Sequence, residues 1–402
     1  MITLLEKINS EKRKAVRLSD VATVVPGFAF KSSDFVDDGV PVVKITEIQS
    51  PYVNFDKCAH VDISKYPKNK LDKFYLHKGE YVVAMTGATI GKVGKIVTDT
   101  SAVLNQRVAV IRPKPDVIRE FVEMQISSNT FQRYIKRIAS GSSAQANISG
   151  DDIGDFEISI PEPFTQKKIA DIVSTYDAKI ENNNIIVKNL EMIAQIVFDE
   201  WFIKFRFPGF EKVKFIKSET GEIPNDWAIG KISDEANIVM GQSPESHYYN
   251  ENKEGLPFHQ GVTYFGELYP ENVIYSTFGE KKAELGDILV SVRAPVGRIN
   301  IASAKTIIGR GLSAVRSKTG NQSYLLYLLK NLFHKENLFG SGSVFPAINK
   351  KEFEELLVIF PKREIKEMFE QKISLIDKKI KENIEENIML KSMRNQLLAK
   401  LI

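Results

Sequence analysis

Two stretches of the chain carry a heptad pattern of hydrophobic positions. In the first, the seam positions advance in alternating steps of four and three, and all except Asn183 are apolar: Ile169, Val173, Tyr176, Ile180, Asn183, Val187, Leu190, Ala194 and Val197. Such spacing is typical of the seam of a coiled coil. No glycine or proline interrupts residues 164–207, so the pattern predicts one continuous helix. At 1.5 Å per residue, a helix of about 35 residues is roughly 50 Å long.

The second stretch, from about Lys362 to Ile402, begins with the same seam: Phe369, Ile373, Ile376, Ile380 and Asn383. Beyond it we expect the apolar face to shift to Ile384, Ile388 and Leu397, because Asn387 and Arg394 replace the apolar residues of the first copy. Asn183 and Asn383 occupy the same seam position. They are either polar residues at a helix edge or a buried pair that fixes the register between two helices.

The heptad stretches belong to a repeat that covers most of the chain. Residues 200 positions apart match without a gap, as for Ile148 and Ile348, and LSDVATVVPG (18–27) matches ISDEANIVMG (232–241) at a different offset. HKGEYVVAMTG (77–87) likewise resembles ELGDILVSVRA (284–294). The repeat predicts two copies of one unit, each a globular body followed by a long helix. We expect the two helices to pack antiparallel as a coiled-coil spacer, with the bodies related by a pseudo-two-fold axis at its opposite ends.

The bodies carry the patterns of a mixed α/β (α+β) fold. Short apolar runs predict strands at Val40–Ile45, Tyr81–Met85, Val108–Ile111, Phe156–Ile160, Ile288–Val292 and Leu356–Phe360. Helical patterns lie at about 116–138 and 322–336. The predicted divisions are an N-terminal segment (1–16), a first body (17–161), a first helix (162–205), a linker with the second body (206–361) and a second helix (362–402).

Composition narrows the setting without naming a function. Hydrophobic residues make up 43% and charged residues 26% of the chain, as in ordinary globular proteins. There is no apolar run of the roughly 18–20 residues that a membrane span needs, and the charged start MITLLEKINSEKRKAV does not suit a signal peptide. With Cys58 as the single cysteine, no intrachain disulfide can form, so we expect a cytoplasmic protein. A net charge of +4 is compatible with nucleic-acid binding but does not require it.

The candidate catalytic motifs fail on inspection. TGATIGKVGK (86–95) resembles a phosphate-binding loop, but it is one residue short, Val93 stands where a hydroxyl is needed, and the repeated stretch SVRAPVGRIN keeps only Gly297 and a cation. There is no Pro-Pro pair of the kind found in amino-methyltransferase loops, and five histidines with one cysteine form no metal motif. The aromatic residues at 198–210 have helical spacing, which favours core packing over a base-stacking surface. The chain is therefore predicted to be non-catalytic, without a cofactor or metal.

A tandem body-and-helix repeat without catalytic motifs resembles the DNA-specificity (S) subunit of type I restriction–modification enzymes. The resemblance is carried by IPEPFTQKKIADIVSTYDAKIENN (160–183), FPKREIKEMFEQKISLIDKKIKEN (360–383), GSSAQANIS (141–149), EIPNDW (222–227) and the paired starts LSDVA (18–22) and ISDEA (232–236). The aromatic segment FDEWFIKF (198–205) also fits. It implies two target-recognition domains, 17–161 and 206–361, each reading one half of a split, asymmetric site in double-stranded DNA. It also implies that the helices dock methyltransferase (M) subunits. Those chains bring S-adenosylmethionine, and a translocating restriction (R) subunit consumes ATP.

Candidate DNA-binding residues follow from the chemistry of recognition. Cations neutralise phosphates, whereas Arg, Lys, Asn and Gln also bind base edges. The candidates in the first body are Lys31, Lys44, Lys92, Lys95, Asn105, Gln106 and Arg107; those in the second are Gln260, Arg293, Arg298 and Arg310, with Tyr248, Tyr249 and Tyr264 nearby. Gln106 aligns with Arg310, as two half-sites of different sequence would require.

Two other functions remain open from the sequence. The chain could be a detached specificity module of a bifunctional restriction–methylation enzyme, although it carries no methyltransferase motif of its own. It could also be a stand-alone DNA-binding protein, which would leave the long helices without a docking role.

Overall fold

A computed structural model describes residues 11–140, 147–218, 221–334 and 347–401. Most of the predicted N-terminal segment, residues 141–146 of the GSSAQANIS element, their counterparts up to residue 346 and the end of the predicted helix 322–336 lie outside these ranges. The chain divides into two compact units: unit 1 is Met1–Asn182 with Asn387–Ile402, and unit 2 is Asn183–Glu386. Each long helix contributes to both units.

Unit 1 is built on β-sheets with short helices. Its strands are β1 Lys14–Arg17, β2 Ala22–Pro26, β3 Phe35–Val36, β4 Val40–Val43, β5 Ile48–Gln49, β6 Tyr52–Val53, β7 Ala59–Val61, β8 Tyr75–Leu76, β9 Tyr81–Ala84, β10 Val93–Lys95, β11 Ala102–Leu104, β12 Val108–Pro113 and β13 Glu157–Ile160. Its short helices are α1 Leu18–Val21, α2 Arg119–Ser127, α3 Asn129–Ser140 and α4 Gly150–Gly154. The first long helix, α5, spans Pro163–Phe198 and continues as a π-helical turn, Asp199–Ile203.

The core of unit 1 lies on both faces of one sheet. A six-stranded sheet has the order β2-β12-β9-β10-β6-β5, and a five-stranded sheet has the order β3-β7-β4-β11-β8. Successive residues of a strand face opposite sides. In β9, Val82 therefore packs in one cluster with Leu104, whereas Val83 packs in another with Phe131 and Ile135 of α3. Burial on both faces explains why this strand appears in the sequence as a continuous apolar run.

Unit 2 repeats the same plan. Its strands are β14 Phe215–Ser218, β15 Gly221–Pro224, β16 Ala228–Lys231, β17 Ala236–Met240, β18 Tyr249–Asn250, β19 Leu256–His259, β20 Tyr275–Ser276, β21 Lys282–Ala283, β22 Ile288–Ser291, β23 Ile299–Ile301, β24 Thr306–Ile308, β25 Leu312–Ser317 and β26 Leu357–Phe360. Its helices are α6 Ile232–Glu235, α7 Gln322–His334 and α8 Lys350–Glu354, followed by the second long helix, α9 Arg363–Leu401. The sheet order β17-β25-β22-β23 corresponds to β2-β12-β9-β10 of unit 1, and β19-β24-β21 corresponds to β4-β11-β8. The repeat and the mixed α/β class are confirmed.

The heptad seam of the first long helix is buried as predicted. Ile169 and Val173 pack with Leu401 in unit 1, and Val187 packs with Ile380 in unit 2. In unit 1 the start of α5 meets the end of α9, and in unit 2 later residues of α5 meet earlier residues of α9, as expected for an antiparallel helix pair. The seam therefore forms because alternate turns of each helix bury their apolar residues against the other.

The predicted shift of the second seam is wrong at Ile388. That side chain is 63% exposed, whereas Asn387 is only 5% exposed. The heptad register continues through polar residues because they find partners in the pair: Arg394 donates a hydrogen bond to the carboxylate of Asp177. A polar side chain can thus hold a seam position when the facing helix supplies an acceptor.

Asn183 and Asn383 are both buried, which excludes the helix-edge alternative. Their exposed fractions are 0% and 4%. Nδ2 of Asn183 donates to Oε2 of Glu386 on the facing helix (2.8 Å), whereas Nδ2 of Asn383 donates to the carbonyl oxygen of Lys379 in its own helix (2.7 Å). The first asparagine therefore links the two helices, and the second satisfies a backbone group.

The aromatic segment that begins at the last residue of α5 forms core in unit 2, as predicted. Phe198, Trp201 and Phe202 are buried against Phe369 of α9, with ring centroids 5.9, 5.9 and 5.0 Å from it. The same cluster includes Trp227 of the EIPNDW segment. In the part of the chain that the structure describes, no helix combines the length and apolar character needed to cross a bilayer.

Candidate nucleic-acid interface

In unit 1, the turn Asn105–Arg107 joins β11 to β12 and is held by its neighbours. The backbone N–H of Asn105 donates to the carbonyl oxygen of Val43 (3.0 Å), and that of Met85 donates to the carbonyl oxygen of Arg107 (2.9 Å). The N–H of Gly27 donates to the carbonyl oxygen of Val108 (2.9 Å). The ends of β2, β4 and β9 therefore meet at this turn, which leaves Gln106 and Arg107 exposed.

Unit 2 holds the turn Gly309–Gly311, between β24 and β25, in the same way. The N–H of Gly309 donates to the carbonyl oxygen of His259 (2.8 Å), and that of Val292 donates to the carbonyl oxygen of Gly311 (2.9 Å). The N–H of Gly241 donates to the carbonyl oxygen of Leu312 (2.9 Å). Each bond has its counterpart in unit 1, so Arg310 occupies the position that Gln106 occupies there. We call these two segments the recognition turns.

A glycine beside each recognition turn explains one matched element of the sequence. A Cβ on Gly27 would lie 2.1 Å from the carbonyl oxygen of Asn105, and a Cβ on Gly241 would lie 2.2 Å from that of Gly309. No real side chain fits at such distances. The repeated endings VVPG and IVMG therefore end in glycine because the backbone of the turn passes directly over them.

Two further candidates stand beside the recognition turns. Lys44 directly follows the Val43 carbonyl that holds the first turn, and its Nζ lies 4.3 Å from the centre of the Phe35 ring. Gln260 follows the corresponding His259 carbonyl, and its own carbonyl oxygen accepts from the N–H of Gly311 (3.1 Å). These positions are equivalent, so the structure brings Lys44 together with Asn105–Arg107 and Gln260 together with Arg310.

The hairpin between β9 and β10 contains TGATIGKVGK. The two strands pair antiparallel, whereas a phosphate-binding loop leads from a strand into a helix. Gly91 and its counterpart Gly297 both have positive φ (79° and 84°), as a tight turn requires. Lys92 and Arg298 follow them and are exposed. The glycines thus shape a hairpin tip that presents one cation in each unit.

Lys95 is the predicted cation least available to DNA. Its Nζ lies 4.0 Å from a carboxylate oxygen of Glu123 and 5.2 Å from the centre of the Tyr81 ring. Lys31 and Arg293 are exposed: Lys31 precedes the 3-10 turn Ser32–Asp34, and Arg293 forms a backbone bridge with residue 347. Neither belongs to a recognition turn, although Arg293 directly follows Val292, whose N–H donates to the carbonyl oxygen of Gly311.

The other predicted cations have no carboxylate partner within 4 Å among the described residues; they are Lys31, Lys44, Lys92, Arg107, Arg293, Arg298 and Arg310. The sheet arginines differ. Nε of Arg112 lies 2.6 Å from Glu80, and Nε of Arg316 lies 2.6 Å from Asp287. Arg112 and Arg316 therefore serve the fold, whereas the charges at the turns and hairpin tips remain uncompensated.

A groove of about 690 Å³ opens beside the recognition turn of unit 2. Its lining includes Gln260, Arg310 and Tyr264, and Tyr249 is stacked on Phe258 with centroids 4.6 Å apart. Other lining residues, which the sequence did not single out, include Ser243, Asn250 and Glu251. The sequence shows that these residues are polar, but they lie beside Arg310 only because the chain folds back after about sixty residues. Tyr248 packs on Phe278 and is not part of the lining.

His259, whose carbonyl oxygen accepts a hydrogen bond from Gly309, is buried beside the recognition turn of unit 2. Its side chain is 1% exposed, and its Nε2 lies 3.2 Å from Oδ1 of Asn272. Burial lowers the pKa of His259 below its ordinary value, because the charged imidazolium is disfavoured away from water. The described residues contain no group of three or more His, Cys, Asp or Glu side chains arranged to hold a metal ion.

Comparisons with known proteins agree on one family. A family model described as "Type I restriction modification DNA specificity domain" matches residues 10–192 and 224–389. A protein of Methanocaldococcus jannaschii, described as a putative type I restriction enzyme MjaX specificity subunit, is 32% identical over 347 residues, covering 84% of this chain and 80% of that protein. The type I restriction enzyme HindI specificity subunit of Haemophilus influenzae is 24% identical over 368 residues, covering 75% of this chain and 80% of its own. A solved S subunit of a type I restriction–modification system from M. genitalium has the same fold, with a TM-score of 0.56 at 16% identity, over 98% of this chain and 97% of that one.

Proposed function

This chain belongs to the family of type I restriction–modification DNA specificity domains, and on that premise we propose that it is the target-recognition subunit of a type I restriction–modification complex. It would bind a bipartite, asymmetric site in double-stranded DNA, with residues 17–161 contacting one half-site and residues 206–361 the other. The relatives it matches are specificity subunits, which are not catalytic. Methylation with S-adenosylmethionine and ATP-driven restriction would reside on other chains of a cytoplasmic complex.

The observation that carries this proposal is the pair of recognition turns. Equivalent backbone hydrogen bonds hold both turns, yet the exposed tip residue is Gln106 in unit 1 and Arg310 in unit 2. Amide and guanidinium groups prefer different base edges. Two half-sites of different sequence require the same turn backbone in both units with a different exposed side chain in each.

Genome-wide mapping of adenine methylation tests this function. Deleting the gene should remove one bipartite motif, and exchanging residues 17–161 for those of a relative should alter one half of that motif only. An unchanged methylome in cells that express the methyltransferase chains would refute target recognition. Alteration of both halves by the exchange would refute the assignment of one domain to each half-site.

For phosphate contacts, we propose the exposed cations outside the recognition turns, namely Lys31, Lys92, Arg293 and Arg298. Each is without a carboxylate partner in the described part of the chain. Neutralising them should weaken DNA binding evenly across sequences and reduce its salt dependence, since each phosphate contact releases a counterion. Lys95, which faces Glu123, should contribute less when replaced by glutamine.

We propose that the long helices dock methyltransferase subunits. On α5, four apolar side chains are about half exposed: Ile185, Met192, Ile193 and Ile196, at 51%, 52%, 48% and 53%. Isolated exposed apolar residues are normal, but several at helical spacing on one helix are suited to burial by a partner. Met192→Lys with Ile196→Lys should abolish co-purification with the methyltransferase subunit, whereas Leu285→Lys, at a 62% exposed site outside the helices, should not. Equal binding by both variants would contradict this docking site.

We propose that the buried asparagines fix the register of the helix pair. Asn183 supports this because its amide reaches Glu386 on the facing helix. An apolar residue there would no longer favour one alignment over another. Asn183→Leu should therefore give two hydrogen-exchange populations along residues 183–198, whereas Lys188→Leu, at an exposed position, should give one. A single population in both variants would argue against a register role.

A further inference from the structure

We infer that Arg310 binds the edge of a guanine in the half-site of unit 2 and that Gln106 binds an adenine from the equivalent position of unit 1, an inference that rests on the proposed function. The assignment selects one base-reading side chain in each unit from among the candidate cations and amides. It depends on the rigidity of the recognition turn, on the unpaired state of Arg310 and on the lining of the adjacent groove.

The recognition turn of unit 2 is fixed along its whole length. Besides the bonds of Gly309 and Gly311, the N–H of Arg310 lies 3.2 Å from Oγ of Ser243 and donates to it. A Cβ on Gly309 would lie 2.8 Å from Cα of Gln260, and one on Gly311 would lie 2.6 Å from its carbonyl oxygen. Both flanking residues are therefore glycine, and Arg310 alone projects a side chain. Because the backbone of the turn is already fixed, binding costs conformational entropy mainly in the side chain of Arg310.

The guanidinium of Arg310 keeps its donors available. It is exposed and has no carboxylate within 4 Å among the described residues, unlike Arg316, which pairs with Asp287. A guanidinium presents parallel N–H donors that match O6 and N7 of guanine. Its environment thus leaves Arg310 able to form the commonest specific contact in the major groove.

The groove favours a base over a phosphate at this place. Glu251 lines it together with Arg310, and so does the aromatic ring of Tyr249. A carboxylate repels a phosphate but can accept a hydrogen bond from the amino group of cytosine. The stacked pair of Tyr249 and Phe258 adds an apolar wall. Arg298 differs, since it stands at a hairpin tip and is not part of the groove lining, so we assign it to the backbone of DNA.

Gln106 is the counterpart in unit 1. It is exposed at the tip of a turn whose backbone is held by equivalent bonds. A glutamine amide has one donor and one acceptor side, which match N6 and N7 of adenine. The two units thus use one position with two chemistries.

The inference is tested by mapping methylation in cells that carry the full chain with its methyltransferase subunits. The wild-type chain should give one bipartite motif; if it does not, the proposed function itself fails, whatever the variants do. Arg310→Gln should then lower methylation of wild-type sites by roughly 5- to 150-fold and relax or change a single guanine-containing base pair in one half. Gln106→Arg should change a single adenine-containing pair in the other half towards guanine.

Two further variants separate base contact from charge. Arg298→Gln should lower methylation at all sites without altering the motif, because a phosphate contact carries no sequence information. Arg310→Lys keeps the charge but loses the planar fork, so it should discriminate against wrong bases less well than the wild type. A wild-type motif for Arg310→Gln, or a change confined to Arg298→Gln, would overturn the assignment. Co-purification of each variant with the methyltransferase subunit shows that loss of methylation does not come from misfolding.

Discussion

Replacing Lys366 by methionine should destabilise unit 2 strongly, because it would leave a buried carboxylate without its cation. Nζ of Lys366, near the start of α9, lies 2.5 Å from Oε2 of Glu235 at the end of α6. The two side chains are only 9% and 6% exposed. Glu235 also accepts a hydrogen bond from Oγ1 of Thr319 (3.0 Å). With a neutral residue at position 366, this hydroxyl would be the side-chain donor that remains to Glu235.

The size of the effect follows from burial. Breaking a buried ion pair by removing one partner costs about 3–5 kcal/mol, whereas an exposed pair contributes about 0–1 kcal/mol. Unit 2 contains such an exposed pair for comparison: Lys231 and Glu355 lie 3.4 Å apart with side chains 52% and 47% exposed. For domains of this size, each 1 kcal/mol shifts Tm by about 2–4 °C. Lys366→Met should therefore lower the Tm of unit 2 by on the order of 10 °C, and Lys231→Met by little.

Scanning calorimetry of the full chain measures both shifts, and hydrogen exchange at residues 232–240 and 363–370 assigns the transition to unit 2. The double variant Lys366→Met with Glu235→Met should recover most of the loss, because it removes the unpaired charge while keeping the volume filled. Equal, small shifts for Lys366→Met and Lys231→Met would refute the reasoning. A double variant as unstable as the single one would show that packing of the lysine stem, not charge pairing, was lost.

Three other outcomes are expected. Burial lowers the pKa of His259 below about 6.5, so as pH falls this residue takes up a proton in the unfolded chain before it does so in the folded one. The free energy of unfolding should therefore decline below about pH 6.5. His259→Gln should flatten that decline in urea unfolding, whereas His77→Gln, at an exposed position, should not. Gly241→Ala places a Cβ 2.2 Å from a turn carbonyl and should disrupt the recognition turn of unit 2, seen as faster hydrogen exchange there; unchanged exchange would contradict the close approach. Ile380→Ala, at a 1% exposed seam position, should lower the free energy of unfolding by about 2–5 kcal/mol in chemical denaturation. Ile388→Ala, at a 63% exposed position, should change it by less than about 0.5 kcal/mol. Comparable losses in the two variants would show that Ile388 belongs to the buried seam after all.

The sequence was sufficient where the determinants are periodic or repeated. Heptad spacing predicts the buried seam, and alignment of the two copies pairs Gln106 with Arg310, as the equivalent backbone hydrogen bonds of the two turns also do. Local sequence patterns did not predict burial correctly where a polar residue has its hydrogen-bond partner far away in the sequence. Arg394 is half-buried because Asp177, more than two hundred positions away, accepts its hydrogen bond, and no short window contains both residues.

The candidate site was only partly predictable for the same reason. The charged and amide residues of the turns were recognisable by type, but the groove forms from segments near residues 245, 260 and 310. The role of Ser243 depends on the N–H of Arg310 lying beside it. The strand order of the sheets, which no local pattern states, brings these groups together.

The close approach of Gly27 and Gly241 to the recognition turns separates what holds each turn from what it displays. The backbone is fixed by glycines and main-chain hydrogen bonds on neighbouring strands, so the tip residue contributes little to folding. Positions 106 and 310 should therefore accept most side chains without loss of stability. A library randomised at these two positions would consist mainly of folded proteins, and new target preferences could arise by single substitutions without passing through unstable intermediates.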